Sequence, residues 1–165
     1  MPRDLKRYVG RSDLHFITFT CYQRRHFLAS VRARNLAVQI LGEVRARYGF
    51  AVLGYVIMPE HMHVLISEVP GVAPAKVIQV FKQRVSRQMR EQEANAAGGV
   101  EFLRFWQRRY YDFNIYSEEK LREKLDYMHM NPVRRKLVAH PREWAWSSWK
   151  FYESGEGPLA MDKWG

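Results

Sequence analysis

Two histidines one residue apart open a run of β-branched and apolar residues in the segment 59–66, which reads PEHMHVLI. Side chains two residues apart on a strand share one face. If this segment is a strand, His61 and His63 point the same way and can hold one divalent ion, whereas Met62 and Val64 point into a core. The same pattern also fits two half-exposed histidines without a metal. A metal site needs a third ligand from elsewhere in the chain.

The preceding run, 51–58, reads AVLGYVIM and is also rich in strand-forming residues. Only Pro59 and Glu60 separate it from the first histidine. Proline lacks a backbone N–H, so it suits a turn better than the middle of a strand. The sequence therefore predicts a β-hairpin, with the two histidines at the mouth of its second strand and outside its core.

Hydrophobic periodicity and capping residues predict the other elements. Ser30 and Ser117 are suitable N-caps, and Gly49 is placed to end a helix. Asn131 and Pro132 should end the last helix, because the residue before a proline disfavours helical backbone. The predicted elements are a strand at 15–22, a helix at 30–48, the hairpin at 51–58 and 61–67, a helix at about 74–92, a strand within 102–116 and a helix from 118 to about 130.

The formal net charge of +10 and the sequence pI near 9.9 favour a polyanionic partner. Nucleic acid is the first candidate. An anionic membrane is the second, but the chain contains no run of eighteen apolar residues. A length of 165 residues predicts one domain with a substantial core. The N-terminal residues carry no apolar signal segment, so a cytoplasmic location is expected.

Cys21 is the only cysteine, which excludes an internal disulfide framework and a cysteine-based zinc cluster. Its place in an apolar strand pattern predicts a buried side chain without a chemical role.

The third predicted helix supplies the oxygen ligand that the histidine pair lacks. Tyr127 and Asn131 are four residues apart and therefore neighbours on one helical face, which Lys120 and Lys124 share. This face is predicted to be exposed. A tyrosine, an amide and two lysines there suit a nucleophile, a hard oxygen ligand and phosphate-binding groups. Two histidines and an asparagine could bind Mg²⁺ or Mn²⁺ through mixed nitrogen and oxygen ligands.

Several groups of basic residues are candidates for phosphate contacts, although each group also fits a solvated surface. One group, in the run FLRFWQRRYYDFNIY, alternates with aromatic residues that can stack on bases, and the run also fits a half-buried strand with basic edges. The candidates are Arg3 and Arg7 in an N-terminal arm, Arg24 and Arg25 after the first strand, Lys82 and Arg87 on the second helix, and Arg108 and Arg109 in the aromatic run.

Four motifs in this order resemble the REP-associated tyrosine transposases: PEHMHVLI, FWQRRYYDFNI, LDYMHMNPVRRKLV and EWAWSSWKFY. These enzymes belong to the HUH single-strand DNA endonucleases and use one catalytic tyrosine. The resemblance covers roughly residues 3–152. It implies an α+β fold in which helices flank a ferredoxin-like (RRM-like) antiparallel sheet, with the catalytic tyrosine on a helix near the C-terminal third. It also implies metal-dependent cleavage and rejoining of single-stranded DNA, at hairpins of repeated extragenic palindromes, through a 5′-phosphotyrosine.

Carried over to this sequence, the resemblance makes Tyr127 the nucleophile and makes His61, His63 and Asn131 the ligands of Mg²⁺ or Mn²⁺. Insertion-sequence relatives have glutamine in place of Asn131. The basic arm with Arg3 and Arg7 would read a single-stranded tetranucleotide beside the hairpin. The implied organisation is one HUH transposase-like domain over 1–165, with an arm at 1–12 and a tail at 153–165. The chain would act as a monomer in the nucleoid.

Two alternatives remain open from the residues alone. A non-catalytic module that binds single-stranded DNA or RNA hairpins could use the same basic and aromatic surface. A phosphodiesterase that activates water would keep the histidines but would give Tyr127 no role.

Overall fold

The structure is a computed structural model that describes residues 14–94 and 104–162. Four strands form one sheet in the order β2–β3–β1–β4, and every neighbouring pair is antiparallel. The strands are β1 (Leu14–Thr20), β2 (Val52–Ile57), β3 (His61–Ser67) and β4 (Tyr111–Ile115), and the helices are α1 (Val31–Tyr48), α2 (Pro74–Ala94), α3 (Glu118–Arg134) and α4 (Trp149–Ser154). Short 3₁₀ turns lie at Tyr22–Arg24 and Pro141–Glu143.

The order of elements up to β4 is βαββαβ, which is the ferredoxin-like arrangement. Helices α1 and α2 pack on one face of the sheet, and α3 packs on the other. The predicted α+β fold with a ferredoxin-like antiparallel sheet is therefore confirmed. Within the described residues, none of the helices combines the length and apolar character needed to cross a membrane.

The predicted helix caps are present. The hydroxyl of Ser30 accepts from the backbone N–H of Ala33 at 3.0 Å, and that of Ser117 accepts from the N–H of Lys120 at 3.0 Å. Gly49 ends α1 in the left-handed conformation with φ 77°, where a residue with a side chain would be strained. The sequence thus specified where α1 begins and ends and where α3 begins.

The predicted end of α3 near Asn131 and Pro132 is wrong, because the helix continues through the proline to Arg134. In the last turn, Pro132 removes only the hydrogen bond that its nitrogen would give to the carbonyl of Met128. The N–H of Arg135 still donates to the carbonyl of Asn131 at 3.0 Å, so the turn closes. Arg134 therefore belongs to the same helix as Tyr127.

The two faces of β3 enter two different cores. Met62 and Val64 pack with α1 and α2, as predicted, whereas Leu65 packs with α3. His61 and His63 share the face of Leu65. They were expected at an open strand mouth, but their exposed fractions are only 6% and 4%. The helix α3 and the segment after β1 cover this end of the strand, which the local sequence did not indicate.

Cys21 is fully buried, as predicted, and burial raises the pKa of its thiol to about 12. A thiol with this pKa stays protonated and unreactive near neutral pH.

The C-terminal segment pairs with the edge of the sheet along β2. The N–H of Ile57 donates to the carbonyl of Trp146 at 2.9 Å, and the N–H of Ser148 donates to the carbonyl of Tyr55 at 3.0 Å. The hydroxyl of Ser148 also accepts from the N–H of Tyr55 at 3.1 Å and lies 2.8 Å from Nε2 of His129 on α3. Backbone groups that an edge strand would leave open are therefore satisfied within the chain.

Replacing Ser148 with alanine should lower the free energy of unfolding by about 1 to 3 kcal/mol, because buried partners on β2 and α3 lose a hydrogen bond. Denaturant unfolding of the variant and the native protein measures the difference. Ser154→Ala is the matched control, since its hydroxyl lies on the surface and bonds only locally. Its effect should stay within about 0.5 kcal/mol. Equal effects of the two changes would contradict the role of Ser148.

Candidate functional site

A cavity of about 280 Å³ lies between α3 and the end of the sheet where β1 ends and β3 begins. It brings together all four residues predicted to carry the chemistry, and it adds one predicted phosphate contact, Arg24. The lining residues are Thr18, Thr20, Arg24, His61, His63, Tyr127, Asn131, Arg134 and Arg135.

The antiparallel register of β1 and β3 assembles the floor of this cavity. Thr18 stands opposite His63 and Thr20 stands opposite His61. The hydroxyl of Thr18 lies 2.6 Å from Nδ1 of His63, and the Nε2 atoms of the two histidines are 3.2 Å apart. The predicted sharing of one face by the two imidazoles is therefore confirmed.

Glu60 lies against one ring nitrogen of His61. Nδ1 of His61 lies 2.6 Å from Oε1 of Glu60, and Nη1 of Arg135 lies 2.9 Å from the same oxygen. Burial alone would raise the pKa of Glu60, but its interactions with His61 and Arg135 hold that pKa below the ordinary value. The ionised carboxylate only accepts hydrogen bonds, so Nδ1 of His61 donates and its Nε2 faces His63.

Both imidazoles are neutral near neutral pH. Burial lowers the pKa of His61 and outweighs the opposing effect of Glu60. Burial also lowers the pKa of His63 to about 3, with further contributions from His61 and Lys124. Neutral imidazole is the form that binds a metal ion.

Asn131 lines this cavity, and its side-chain oxygen is buried without a hydrogen-bond partner among the residues that the structure describes. The expectation that Asn131 lies on an exposed face is wrong, since only 5% of the residue is exposed. A buried oxygen without a partner is costly unless another group satisfies it.

The donor set fits a divalent ion. Metal–nitrogen bonds are about 2.1 Å long, so two nitrogens within about 4 Å of each other can share one ion. The Nε2 atoms of His61 and His63 meet this condition, and the amide oxygen of Asn131 is a hard ligand in the same cavity. No group of three or more His, Cys, Asp or Glu in the described part of the chain could hold a metal. The candidate ligands remain the two histidines and the amide that the sequence predicts.

Tyr127 lies at the open side of the cavity, with 41% of the residue exposed. Its ring meets His63 edge-on at 5.3 Å between ring centres and Phe16 edge-on at 6.3 Å. The guanidinium carbon of Arg134 lies 5.0 Å from the centre of the tyrosine ring. These contacts hold the ring beside the imidazoles and place a cation against it.

The basic residues predicted on α3 extend from this cavity along the helix. Nζ of Lys124 lies 4.6 Å from the ring centre of Phe113 and 5.0 Å from that of Phe16. Lys120 pairs with Glu123 at 3.0 Å. Lys124 thus lies beside Phe16, whose ring also meets Tyr127, whereas Glu123 balances the charge of Lys120.

A second, larger groove of about 520 Å³ separates α2 from residues 104–110, and two other predicted contacts line it. Lys82 is half-buried there and donates to the carbonyl of Gln107 at 2.8 Å, whereas Arg108 is exposed. Arg25, Arg87 and Arg109 are also exposed but line neither cavity, and Arg3 and Arg7 lie outside the described residues.

Sequence reasoning missed five residues of the site: Thr18, Thr20, Glu60, Arg134 and Arg135. For the two arginines a signal existed. They follow Asn131 at helical spacing, and they would have joined the candidate face if the helix had been continued past Pro132. The threonines alternate on β1, but only the register with β3 reveals their partners.

The chain is similar to known transposases in both sequence and structure. The sequence pattern of the family described as "Transposase IS200 like" matches residues 8–131. The REP-associated tyrosine transposase of Escherichia coli K12 is 26% identical over 145 residues, which cover 88% of this chain and 81% of that protein. The ISDra2 transposase TnpA of Deinococcus radiodurans is 27% identical over 92 residues, or 54% of this chain and 64% of that protein.

Among solved structures, a REP-associated tyrosine transposase bound to a REP hairpin superposes with a TM-score of 0.71. The match covers 92% of this chain and 86% of that one, at 21% identity. It shows that the two chains share a fold.

The buried histidines predict how stability depends on pH. An unfolded histidine binds a proton near pH 6.5, whereas His63 in the folded chain does so only near pH 3. Between these values the unfolded state binds more protons, so the free energy of unfolding should fall as the pH falls. The expected slope is about 1.4 kcal/mol per pH unit for each proton. Metal-free His63→Gln should show a shallower slope than the native protein between pH 6 and 4. Equal slopes in the variant and the native protein would contradict the lowered pKa of His63.

Proposed function

Because the chain belongs to the IS200-like transposase family, we propose that it cleaves and rejoins single-stranded DNA at hairpins formed by repeated extragenic palindromes. One observation carries the proposal. A half-exposed tyrosine stands beside two neutral imidazoles and an amide whose oxygen has no hydrogen-bond partner in the described part of the chain, and all of them line one cavity with three arginines. The relatives support the substrate, since one is named a REP-associated tyrosine transposase and a solved one is bound to a REP hairpin.

In the proposed reaction, the phenolic oxygen of Tyr127 attacks the phosphorus of a phosphodiester in single-stranded DNA. The bond from phosphorus to the 3′ oxygen breaks, the tyrosine loses its proton, and the leaving 3′ oxygen gains one. The products are a 5′-phosphotyrosine and a free 3′-OH. Attack by a 3′-OH on the phosphotyrosine reverses these steps and rejoins DNA, so cleavage and transfer need no energy source.

His61, His63 and Asn131 would hold a divalent ion, with Mg²⁺ or Mn²⁺ as the candidates. A bound divalent ion polarises a phosphodiester and neutralises the charge that develops during its cleavage. The protein contributes the placement of the ligands. Glu60 hydrogen-bonds to Nδ1 of His61, and Thr18 hydrogen-bonds to Nδ1 of His63. These contacts limit how the two rings can turn.

The cations around the cavity suit an anionic substrate. Arg134 lies against the ring of Tyr127, and Arg24 also lines the cavity. Guanidinium groups bind phosphate oxygens in pairs of hydrogen bonds, so they can hold the scissile phosphate and its neighbours near the tyrosine. The lysines along α3, Lys120 and Lys124, extend this path for the strand.

We propose that the chain acts as a monomer. The pairing of Trp146 and Ser148 with β2 occupies an edge that two copies could otherwise use to join their sheets. A protein with this activity would work where the chromosome is, in the nucleoid of the cytoplasm.

Tyr127→Phe should abolish the covalent DNA adduct and leave hairpin binding unchanged, because only the attacking oxygen is removed. The adduct is measured as a mobility shift on a denaturing gel after incubation with a hairpin that carries a single-stranded flank and Mn²⁺. Tyr116→Phe is the matched control, since that tyrosine is also exposed but does not line the cavity.

An adduct formed by the Tyr127 variant would contradict the assignment of the nucleophile. Absence of any adduct in the native protein, together with tight hairpin binding, would favour the non-catalytic binding module.

Hairpin binding should weaken steeply with salt, because each phosphate neutralised releases counterions. Arg108→Ala should lower the affinity for hairpins of any sequence and reduce the slope by about 0.7, the value for one phosphate contact on a single strand. Arg122→Ala is the control, since this exposed arginine pairs with Glu118.

Replacement of Arg3 and Arg7 should instead reduce discrimination between matched and scrambled tetranucleotides, as the loss of base contacts does. Equal losses for both sequences would make the arm an electrostatic tether.

A further inference from the structure

Glu60 is a buried carboxylate on which three separate segments of the chain converge. Only 2% of the residue is exposed. Its Oε1 lies 2.6 Å from Nδ1 of His61 on β3, 2.9 Å from Nη1 of Arg135 after α3, and 3.6 Å from Nη2 of Arg24 after β1. Its Oε2 lies 3.9 Å from Nε2 of His26.

The backbone beside Glu60 joins the same segments. The N–H of Cys21 donates to the carbonyl of Glu60 at 2.8 Å, and the N–H of Leu28 donates to the carbonyl of Pro59 at 2.9 Å. The side chain and the main chain of this turn therefore fix the loop that follows β1 against the start of β3.

We propose that Glu60 is a positioning residue that sets two parts of the site at once. It holds His61 with Nδ1 protonated and Nε2 directed into the cavity. Through Arg135 it also holds the C-terminal end of α3, the helix that carries Tyr127 and Asn131. The link to catalysis rests on the proposed function, whereas the link to the histidine tautomer rests on the contacts of Glu60 alone.

The two roles follow from the charge and the hydrogen-bonding capacity of a carboxylate. A carboxylate cannot donate, so it admits only the Nδ1–H form of His61. Its buried negative charge attracts the half-exposed guanidinium of Arg135, and replacing the carboxylate with a neutral group removes this attraction. A hydrogen bond that a ligating histidine donates to an outer carboxylate also raises metal affinity, typically by about 10- to 100-fold.

If Glu60 only formed stabilising ion pairs, replacing it would leave the tautomer of His61 unchanged. If it is a positioning residue, the tautomer should change, and this difference makes the proposal testable. Glu60→Gln keeps the shape of the side chain, but its amide can donate as well as accept and carries no charge. The matched control is Glu68→Gln. Oε1 of Glu68 lies 2.6 Å from Nε2 of His15, so this variant also changes a carboxylate–imidazole contact, but at a residue that does not line the cavity.

The first measurement is ¹⁵N NMR of the histidine rings in the full-length, metal-free protein. In the native protein, His61 should show a protonated Nδ1 and an unprotonated Nε2. In Glu60→Gln its signals should report a mixture of tautomers, whereas Glu68→Gln should keep the native pattern at His61. A native pattern at His61 in Glu60→Gln would overturn the proposal.

The second measurement is Mn²⁺ affinity by calorimetry. Glu60→Gln should bind Mn²⁺ about 10- to 100-fold more weakly than the native protein, and Glu68→Gln should bind it equally well. Native affinity in Glu60→Gln would overturn the role in metal binding. If the native protein binds no Mn²⁺ while the tautomer changes as expected, the metal site of the proposed function fails and the positioning role stands.

A second variant tests the link to α3 even if Glu60→Gln is unstable. Arg135→Gln should leave the tautomer of His61 native, because Glu60 is unchanged, and should speed hydrogen exchange of the amides at the end of α3. It should also slow adduct formation at saturating DNA. Unchanged exchange and unchanged adduct formation would overturn the role of the Glu60–Arg135 contact.

Discussion

Strand β3 is covered on both faces, and the rest of the molecule depends on this constraint. Alternation along the strand sends Met62 and Val64 into the core with α1 and α2, so His61 and His63 must enter the interface with α3. That interface is apolar around Leu65 and Phe16 and becomes polar where the histidines meet the threonines of β1. The candidate site is the polar end of a core interface. Helix α3 covers the histidines, while Tyr127, which also lines the cavity, stays 41% exposed.

The charge distribution follows from this partial burial. Moving a carboxylate out of water is costly unless cations accompany it. Besides His61, the carboxylate of Glu60 has three groups within 4 Å, which belong to Arg24, Arg135 and His26. Arg24 and Arg135 are thereby partly neutralised. Arg134 forms no ion pair within residues 14–94 and 104–162, and it lies against the ring of Tyr127. The cavity therefore keeps a positive charge, that of Arg134, beside the tyrosine. In the proposed reaction, the anionic phosphodiester would have to lie there.

Local rules predicted the parts of the fold that local energetics determine. The caps at Ser30 and Ser117, the hairpin and the shared face of the two histidines all depend on neighbouring residues. Burial of the histidines depends on where α3 docks, and the partners of Glu60 come from residues 24 and 135, so no window of sequence contains them. The end of α3 was mispredicted because the rule for proline is a local preference, which closing contacts in the last turn overrode. That single error hid two arginines of the site.

Helix α3 is fixed on several sides by buried contacts. A Cβ on Gly54 would stand 2.6 Å from Leu125 and 2.7 Å from Met128, so the glycine allows the helix to approach the sheet closely. His129 bonds to Ser148, and Glu60 holds the residue that follows the helix. Tyr127, in contrast, is 41% exposed, and its contacts with the described residues are those of its ring. In the proposed reaction, the nucleophile must bond to phosphorus and then release it, and this combination suits that role. The helix sets the distance from Tyr127 to the proposed metal ligands, and the tyrosine side chain remains accessible to a strand that would enter and leave.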